Sequence, residues 1–295
     1  MANRPTDGTA RGTGTGRLTS LLFQALIGLA LFLPYGPRVR LCGWLFSHLV
    51  APLAGYRRRI RQNLATILPD LPRSEVERLV RAVPDNVGRT LIEIYSGDDF
   101  IRHVTSTPLG GPGLAALDRA HQAGRPVILV TGHFGNYDAS RAALIARGYR
   151  VGALYNPMTN PWFNDHYVKA ISSIGTPLFA RGKRGLGEMV RFLRGGGMLG
   201  LLIDQRMVHG EKLRFFGAEA LTALSAAELA LKYDALVVPT YGIRRANGLD
   251  FDVVIEEPIP HGNPEAMTQA LNDSLEALVR QHMDQWFWIH RRWKQ

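Results

Sequence analysis

At 295 residues, 46% of them hydrophobic, the chain carries enough apolar material for one large α/β core or two modest domains, which excludes disorder as the default reading. Its 35 Lys and Arg against 25 Asp and Glu leave a formal charge of +10, favouring anionic partners such as an acidic protein, a phosphorylated lipid or nucleic acid. A single cysteine, Cys42, excludes a disulfide pair and a cysteine-rich zinc site, and gives no obvious thiol nucleophile.

Residues 1–16 are rich in Gly and Thr and read as a flexible start. Residues 17–55 form an apolar segment with the character of a membrane anchor. From Leu18 to Leu33 there is no charge, but the run falls short of the ~20 residues of a spanning helix, so both a span and an interfacial helix fit it. A second apolar stretch with Trp44 and His48 follows, then Arg57, Arg58, Arg59 and Arg61, a pattern suited to an anionic headgroup layer. Burial of both stretches in a soluble core is the alternative. Residues 56–106 read as a connector of short helices broken at Pro69, Pro72 and Pro84.

From residue 107 to 295 the pattern alternates. "GLAALDRAHQAG" is helix-like, "PVILVTG" strand-like, "YDASRAALIARG" helix-like and "YRVGALY" strand-like. The alternation continues through "TPLFA", "GLGEMVRFLRGG", "MLGLLID", "LTALSAAELALKY", "ALVVPTYGI" and "LDFDVVIEE", and closes on an amphipathic helix from Pro264 to Trp288. Such an order predicts an α/β domain with a mostly parallel central sheet flanked by helices.

Ligands of parallel sheets bind beyond the carboxyl ends of the strands, and His133 stands there, after "PVILVT". With His133 on the turn and Asp138 in the first helical turn, the carboxylate can accept one imidazole proton and leave the other nitrogen free as a base. The alternative is a histidine satisfying turn backbone and an aspartate favouring a helix N-terminus. No G-x-S-x-G, phosphate-loop or dinucleotide fingerprint is present, no metal-ligand cluster is organised around His166, His209 and Asp204, and no nucleic-acid motif accompanies the arginines. "RGKRGLG", Arg181–Gly187, is a basic glycine-rich loop that fits either an anion site or a solvated turn.

"GHFGNYD" resembles the H-x-x-x-x-D/E motif of the bacterial lipid A late acyltransferases, the lauroyl/myristoyl acyltransferase family. The likeness extends to Asn160–Pro161, "LLIDQ" with Asp204 and Gln205, "RFFGAEALTALSAAELA", "ALVVP" and the terminal "QWFWIHRRWK". It implies a glycerolipid acyltransferase-like α/β fold and acyl transfer from an acyl carrier protein thioester to a hydroxyl of a phosphorylated glucosamine lipid. The expected place is the cytoplasmic face of the bacterial inner membrane, without cofactor or metal. By resemblance, His133 is the general base and Asp138 its orienting carboxylate. The candidate substrate-binding residues are Asn136, Asn156, Arg181, Lys183, Arg184, Asp204, Gln205, His290 and Arg292. For Asp204, which matches the aspartate at the end of the family's next strand, the resemblance implies a supporting role in the acceptor or base network, with capping of the following turn as the alternative. Without an activated Ser or Cys, transfer is direct, not through an acyl-enzyme.

One departure stands out. Where many members of the family have Tyr-Arg-Pro, this chain has Tyr155, Asn156 and Pro157, which lacks the guanidinium fork. Arg181, Lys183 and Arg184 are the candidate substitutes. Transfer to lysophospholipid or another hydroxylated lipid, and a degenerate lipid-binding protein without turnover, are the competing functions. The terminal aromatic and basic cluster, Trp286 to Trp293, suits a lipid interface, with core packing of Trp286 and Trp288 as the alternative.

Overall fold

β-branched strands and amphipathic helices alternate along the carboxyl-terminal two thirds of the chain, and this alternation sets the architecture of the computed structural model, which describes residues 14–294. The expected flexible start lies mostly outside the described residues. The first helices are α1 (Gly14–Leu31), α2 (Tyr35–Leu45), a π-helical turn (Phe46–Val50) running into α3 (Ala51–Leu53), and α4 (Tyr56–Ile67). They are followed by α5 (Arg73–Ile94), α6 (Asp98–Thr105) and α7 (Leu114–Gln122).

The central layer then alternates strands and helices: β1 (Val127–Thr131), α8 (Tyr137–Ala146), β2 (Val151–Tyr155), α9 (Pro161–Ile174), β3 (Leu178–Ala180), α10 (Lys183–Arg194) and β4 (Met198–Leu202). A hairpin of β5 (Glu211–Phe215) and β6 (Ala218–Thr222) precedes α11 (Ser225–Tyr233), β7 (Leu236–Arg244), β8 (Phe251–Ile255) and α12 (Pro264–Gln281). The main sheet has the order β3-β2-β4-β1-β7-β8. All its pairs are parallel except β7 with β8, so the predicted mostly parallel sheet is present.

β1 is buried along its whole length. Val127 and Leu129 enter the core under α6 and α8, while Ile128 and Val130 enter the opposite core with α10, α11 and α12, as a two-residue side-chain period requires.

Three local expectations are corrected. Pro84 does not break the chain but sits within the 22-residue α5. The ladder bond it removes is offset by burial along that helix, including Leu79, Val80, Val83 and Ile92. The last helix stops at Gln281, where His282 takes φ −137° and ψ 59°. Beyond it Trp286 pairs with Phe134 in an antiparallel bridge, which draws the terminal segment alongside the turn after β1. Trp286 and Trp288 are buried against Phe215, Phe216 and Trp293, so they belong to a core and not to a lipid-facing anchor.

α1 packs on α2 and α9 yet leaves Leu18, Leu22 and Leu29 exposed, as is Phe32 just past its end, and the α2-to-α3 stretch exposes Trp44, Leu49 and Leu53. Among the described residues no helix is long and apolar enough to cross a membrane. Three of the four arginines behind this stretch are engaged within the protein: Arg57 with the Ser47 carbonyl, Arg59 with the Ile289 carbonyl and Arg61 with Glu77.

Candidate active site

β1 ends at Thr131, and residues 132–136 turn into α8. Gly135 has φ +54°, and a Cβ there would lie 2.0 Å from the Gly242 carbonyl oxygen, so no other residue fits. Asn136 caps α8 by accepting a hydrogen bond from the Asp138 amide at 3.0 Å.

β4 runs parallel to β1 with Leu202 opposite Thr131. Two residues past that pair, His133 and Asp204 face each other. Asp204 Oδ1 lies 2.8 Å from His133 Nδ1, and Asp204 Oδ2 accepts both the His133 backbone N–H at 2.7 Å and the Trp286 indole N–H at 2.9 Å. Burial alone drives a carboxyl pKa up, but the charge of the adjacent imidazole and these three hydrogen bonds bring Asp204 down to about 2. The carboxylate therefore stays ionised at neutral pH, accepts the Nδ1 proton and leaves Nε2 as the basic nitrogen. Gln205 Nε2 stands 3.3 Å from that nitrogen.

Asp138 is placed differently from the sequence reading. Its carboxylate pairs with Arg141 at 2.7 Å, and Arg141 donates onward to the carbonyls of Gly175 and Ile171 at the end of α9. The five-residue spacing directs Asp138 to its own helix face, while parallel pairing delivers Asp204 to the imidazole. Asp138 thus ties α8 to α9, and Asp204 is the carboxylate on His133.

The other sequence-named residues divide into two groups. Asn136 is fully buried, with its amide Nδ2 donating to Glu93 at 2.9 Å, so it faces the interior and not the cavity beside His133. Arg292 is also buried, donating to the Leu221 carbonyl at 2.6 Å and the Thr222 hydroxyl at 2.5 Å, which corrects its reading as a substrate contact. His290 Nε2 accepts the Arg206 N–H at 2.8 Å, and burial pushes its pKa down, so it is neutral. Asn156, Arg181, Lys183 and Arg184 are exposed at the carboxyl ends of β2 and β3. The Arg181 N–H donates to the Tyr155 carbonyl at 2.8 Å, which sets the basic loop beside Asn156. Arg184 is paired with Glu188.

His133 opens onto a cavity of about 290 Å3 walled by Val87, Thr90, Leu91, Ile94, Met158 and Phe287. Leu91 also borders a larger apolar groove, about 790 Å3, between α1, α2, α5 and α9. A base in a largely apolar cavity, with an apolar groove bordering the same Leu91, suits a substrate with a long hydrocarbon chain. Among the described residues, no group of three or more His, Cys, Asp or Glu side chains converges as a metal site.

Trp286 as a partner of Asp204, and Glu93 and Arg244 behind the turn, are site residues that the sequence reading missed. The last two carried a signal: Glu93 interrupts the apolar "LIEIY", and Arg244 ends a strand otherwise buried almost throughout.

Residues 15–295 match the family described as bacterial lipid A biosynthesis acyltransferase. The chain is similar to a lipid A biosynthesis acyltransferase of Haemophilus influenzae, 24% identical over 266 residues that cover 88% of this chain and 83% of that protein. It is also similar to the phosphatidylinositol mannoside acyltransferase of Mycobacterium tuberculosis, 23% identical over 241 residues covering 80% and 76%. A third relative is a lipid A biosynthesis acyltransferase 2 of Shigella flexneri, 22% identical over 251 residues covering 79% and 76%.

Proposed function

Because the chain belongs to the bacterial lipid A biosynthesis acyltransferase family and is an O-acyltransferase acting on lipid-like substrates, we propose that it moves an acyl chain from an acyl carrier protein thioester to a hydroxyl of a phosphorylated glucosamine lipid. The observation that carries the catalytic part is the His133 Nδ1 to Asp204 contact of 2.8 Å, made by a histidine that lines the apolar cavity.

In this mechanism the acceptor hydroxyl takes the place of the Gln205 amide at His133 Nε2. The imidazole removes its proton as the oxygen attacks the thioester carbonyl, and Asp204 stabilises the resulting imidazolium. The C–S bond breaks, the new ester C–O bond remains, and the thiolate leaves and is protonated. The acyl chain lies in the apolar cavity beside His133, with the groove on the other side of Leu91 as room for its far end. The surplus of +10 favours an acidic carrier protein and a phosphorylated acceptor. The exposed apolar faces of α1 and of the α2-to-α3 stretch, with the exposed Arg58, favour attachment to the cytoplasmic leaflet of the inner membrane.

A second acceptor class is favoured by one observation: the near-equal similarity to the phosphatidylinositol mannoside acyltransferase, whose name specifies a glycosylated phospholipid. Purified protein incubated with acyl carrier protein thioester and each acceptor separately, beside His133→Ala, tests both. Transfer to the glucosamine lipid that His133→Ala loses is the expected result. Transfer only to the mannosylated lipid reassigns the acceptor, only to lysophospholipid reassigns the substrate class, and no transfer to any sinks the proposal.

A further inference from the structure

Arg244 and Glu93 form an ion pair deep inside the protein, with side chains 6% and 0% exposed. Two charges taken out of water lose most of their hydration, and a buried pair is on average no more stabilising than apolar residues of the same volume. Stability alone is therefore a poor reason for its presence. Its hydrogen bonds point elsewhere, to the turn that carries His133.

Three side chains of α5 reach that turn. Asn86 Nδ2 and Thr90 Oγ1 both donate to the Gly135 carbonyl, at 3.1 and 2.8 Å. Glu93 Oε2 accepts the Asn136 amide at 2.9 Å. Arg244, from the end of β7, binds all three: Nε donates to Asn86 Oδ1 at 2.8 Å, Nη2 to the Thr90 hydroxyl at 3.3 Å, and both Nη atoms to Glu93. The Arg244 backbone N–H and C=O each bond the Gln285 side-chain amide at 2.8 Å, and the Gln285 carbonyl accepts the Gly135 N–H at 2.9 Å. Both polar groups of the Gly135 backbone are thus fixed through one guanidinium and its strand.

We propose that the buried Glu93–Arg244 pair is a positioning element for catalysis, which fixes the turn from Gly135 to Asn136 and thereby the direction of His133 Nε2. The planar guanidinium suits this task because its five donors have a fixed geometry, so the three α5 side chains are held in one arrangement. A loosened turn would leave the His133 to Asp204 contact free to form but Nε2 misdirected. Errors of about 1 Å in placing a base cost ~10²-fold in rate. The inference rests on the reading of His133 as the base.

The test compares Glu93→Gln and Thr90→Val with the parent enzyme, with His133→Ala as control. Glu93→Gln keeps the shape and removes the charge. Thr90→Val is nearly isosteric and removes one hydrogen bond to Gly135 without stranding a charge, so it decides the matter should Glu93→Gln fail to fold. Three quantities are measured on folded protein: kcat, KM for donor and acceptor, and the 15N spectrum of the His133 ring, assigned by its absence in His133→Ala.

The expected result is a fall in kcat of ~10–100-fold for Glu93→Gln, with its KM within about twofold, and a smaller fall in kcat for Thr90→Val. The 15N resonance of Nε2 should shift or broaden from its parental position, while the Nδ1–H tautomer held by Asp204 is retained. Variants that melt at lower temperature but keep the parental kcat and ring spectrum would overturn the proposal and leave the pair a stability element. Undiminished transfer by His133→Ala would instead refute the base assignment, and the ring spectrum would still decide whether the pair positions the imidazole.

Discussion

His133 and Asp204 stand 71 residues apart in sequence and 2.8 Å apart in the structure, because each lies two residues beyond the parallel pair Thr131 and Leu202. Parallel neighbours of a sheet end together, so residues at equal offsets past their last pairing meet at the carboxyl edge. The dyad is a consequence of β4 lying next to β1.

Asp204→Asn should therefore lower kcat by ~10²–10⁴-fold while leaving the fold intact, since an amide cannot stabilise the imidazolium as a carboxylate does. Asp138→Asn should act on stability. It removes the charge that a buried Arg141 is paired with, at a cost on the order of 3 kcal/mol, read as a lower Tm. Rates per folded molecule distinguish the two. A severe loss in Asp138→Asn with Tm unchanged would return the orienting role to Asp138.

The same carboxylate predicts a pH dependence of stability. Asp204 has a pKa lowered from 3.8 to about 2 in the folded protein, so its stabilising contribution is fully present above pH ~4 and is lost as pH falls through about 2. The size is about 2 kcal/mol. Urea midpoints measured between pH 5 and pH 2 should fall less steeply for Asp204→Asn than for the parent. Parallel curves would show that the shift is absent.

The apolar face of α1 yields a third expectation. Leu29 and Phe32 are 65% and 87% exposed, and Leu18, Leu22 and Leu26 along α1 are exposed with them. Leu29→Asp with Phe32→Asp should release the protein from vesicles of anionic phospholipid, measured by co-sedimentation, because each charge must enter the headgroup boundary. Binding of the parent that disappears in moderate salt, or binding unaffected by both substitutions, would show that α1 does not insert.

Much of this site could be read before the structure, and the limit has a physical form. β1 and β7 declare themselves as β-branched apolar runs because they are buried on both faces. His133 follows as a residue at the carboxyl end of such a strand. Strand order does not follow, since it is set by pairing between distant segments, and without it the nearby Asp138 was a more natural partner than Asp204. β5 and β6 escaped because their exposed residues are charged and only one face of the hairpin packs, with Phe215 and Ala220 buried. α9 does have its start signals, in Asn160, which accepts the Phe163 N–H, and Pro161. Trp286 and Trp288 were ambiguous in sequence because aromatic residues beside arginines suit both a core and an interface.

Asn156 offers the most informative substitution at the carboxyl edge of the sheet. It is exposed where β2 ends, and the backbone bond from Arg181 to Tyr155 brings the basic loop next to it. Arg181 is thus the nearest structural candidate to supply the charge that Asn156 lacks, whereas Arg184 is committed to Glu188. If Arg181 binds the acceptor phosphate, Arg181→Ala should raise KM for the acceptor with kcat little changed, as loss of a contact made equally in ground and transition states does. Asn156→Arg alone should leave KM level or raise it, because a second guanidinium crowds the first. In the double variant, Asn156→Arg with Arg181→Ala, acceptor KM should return towards the parental value through charge-assisted hydrogen bonds from the new side chain. Acceptor KM values equal to the parent's in all three variants would remove both residues from the substrate site and confine recognition to the residues around His133.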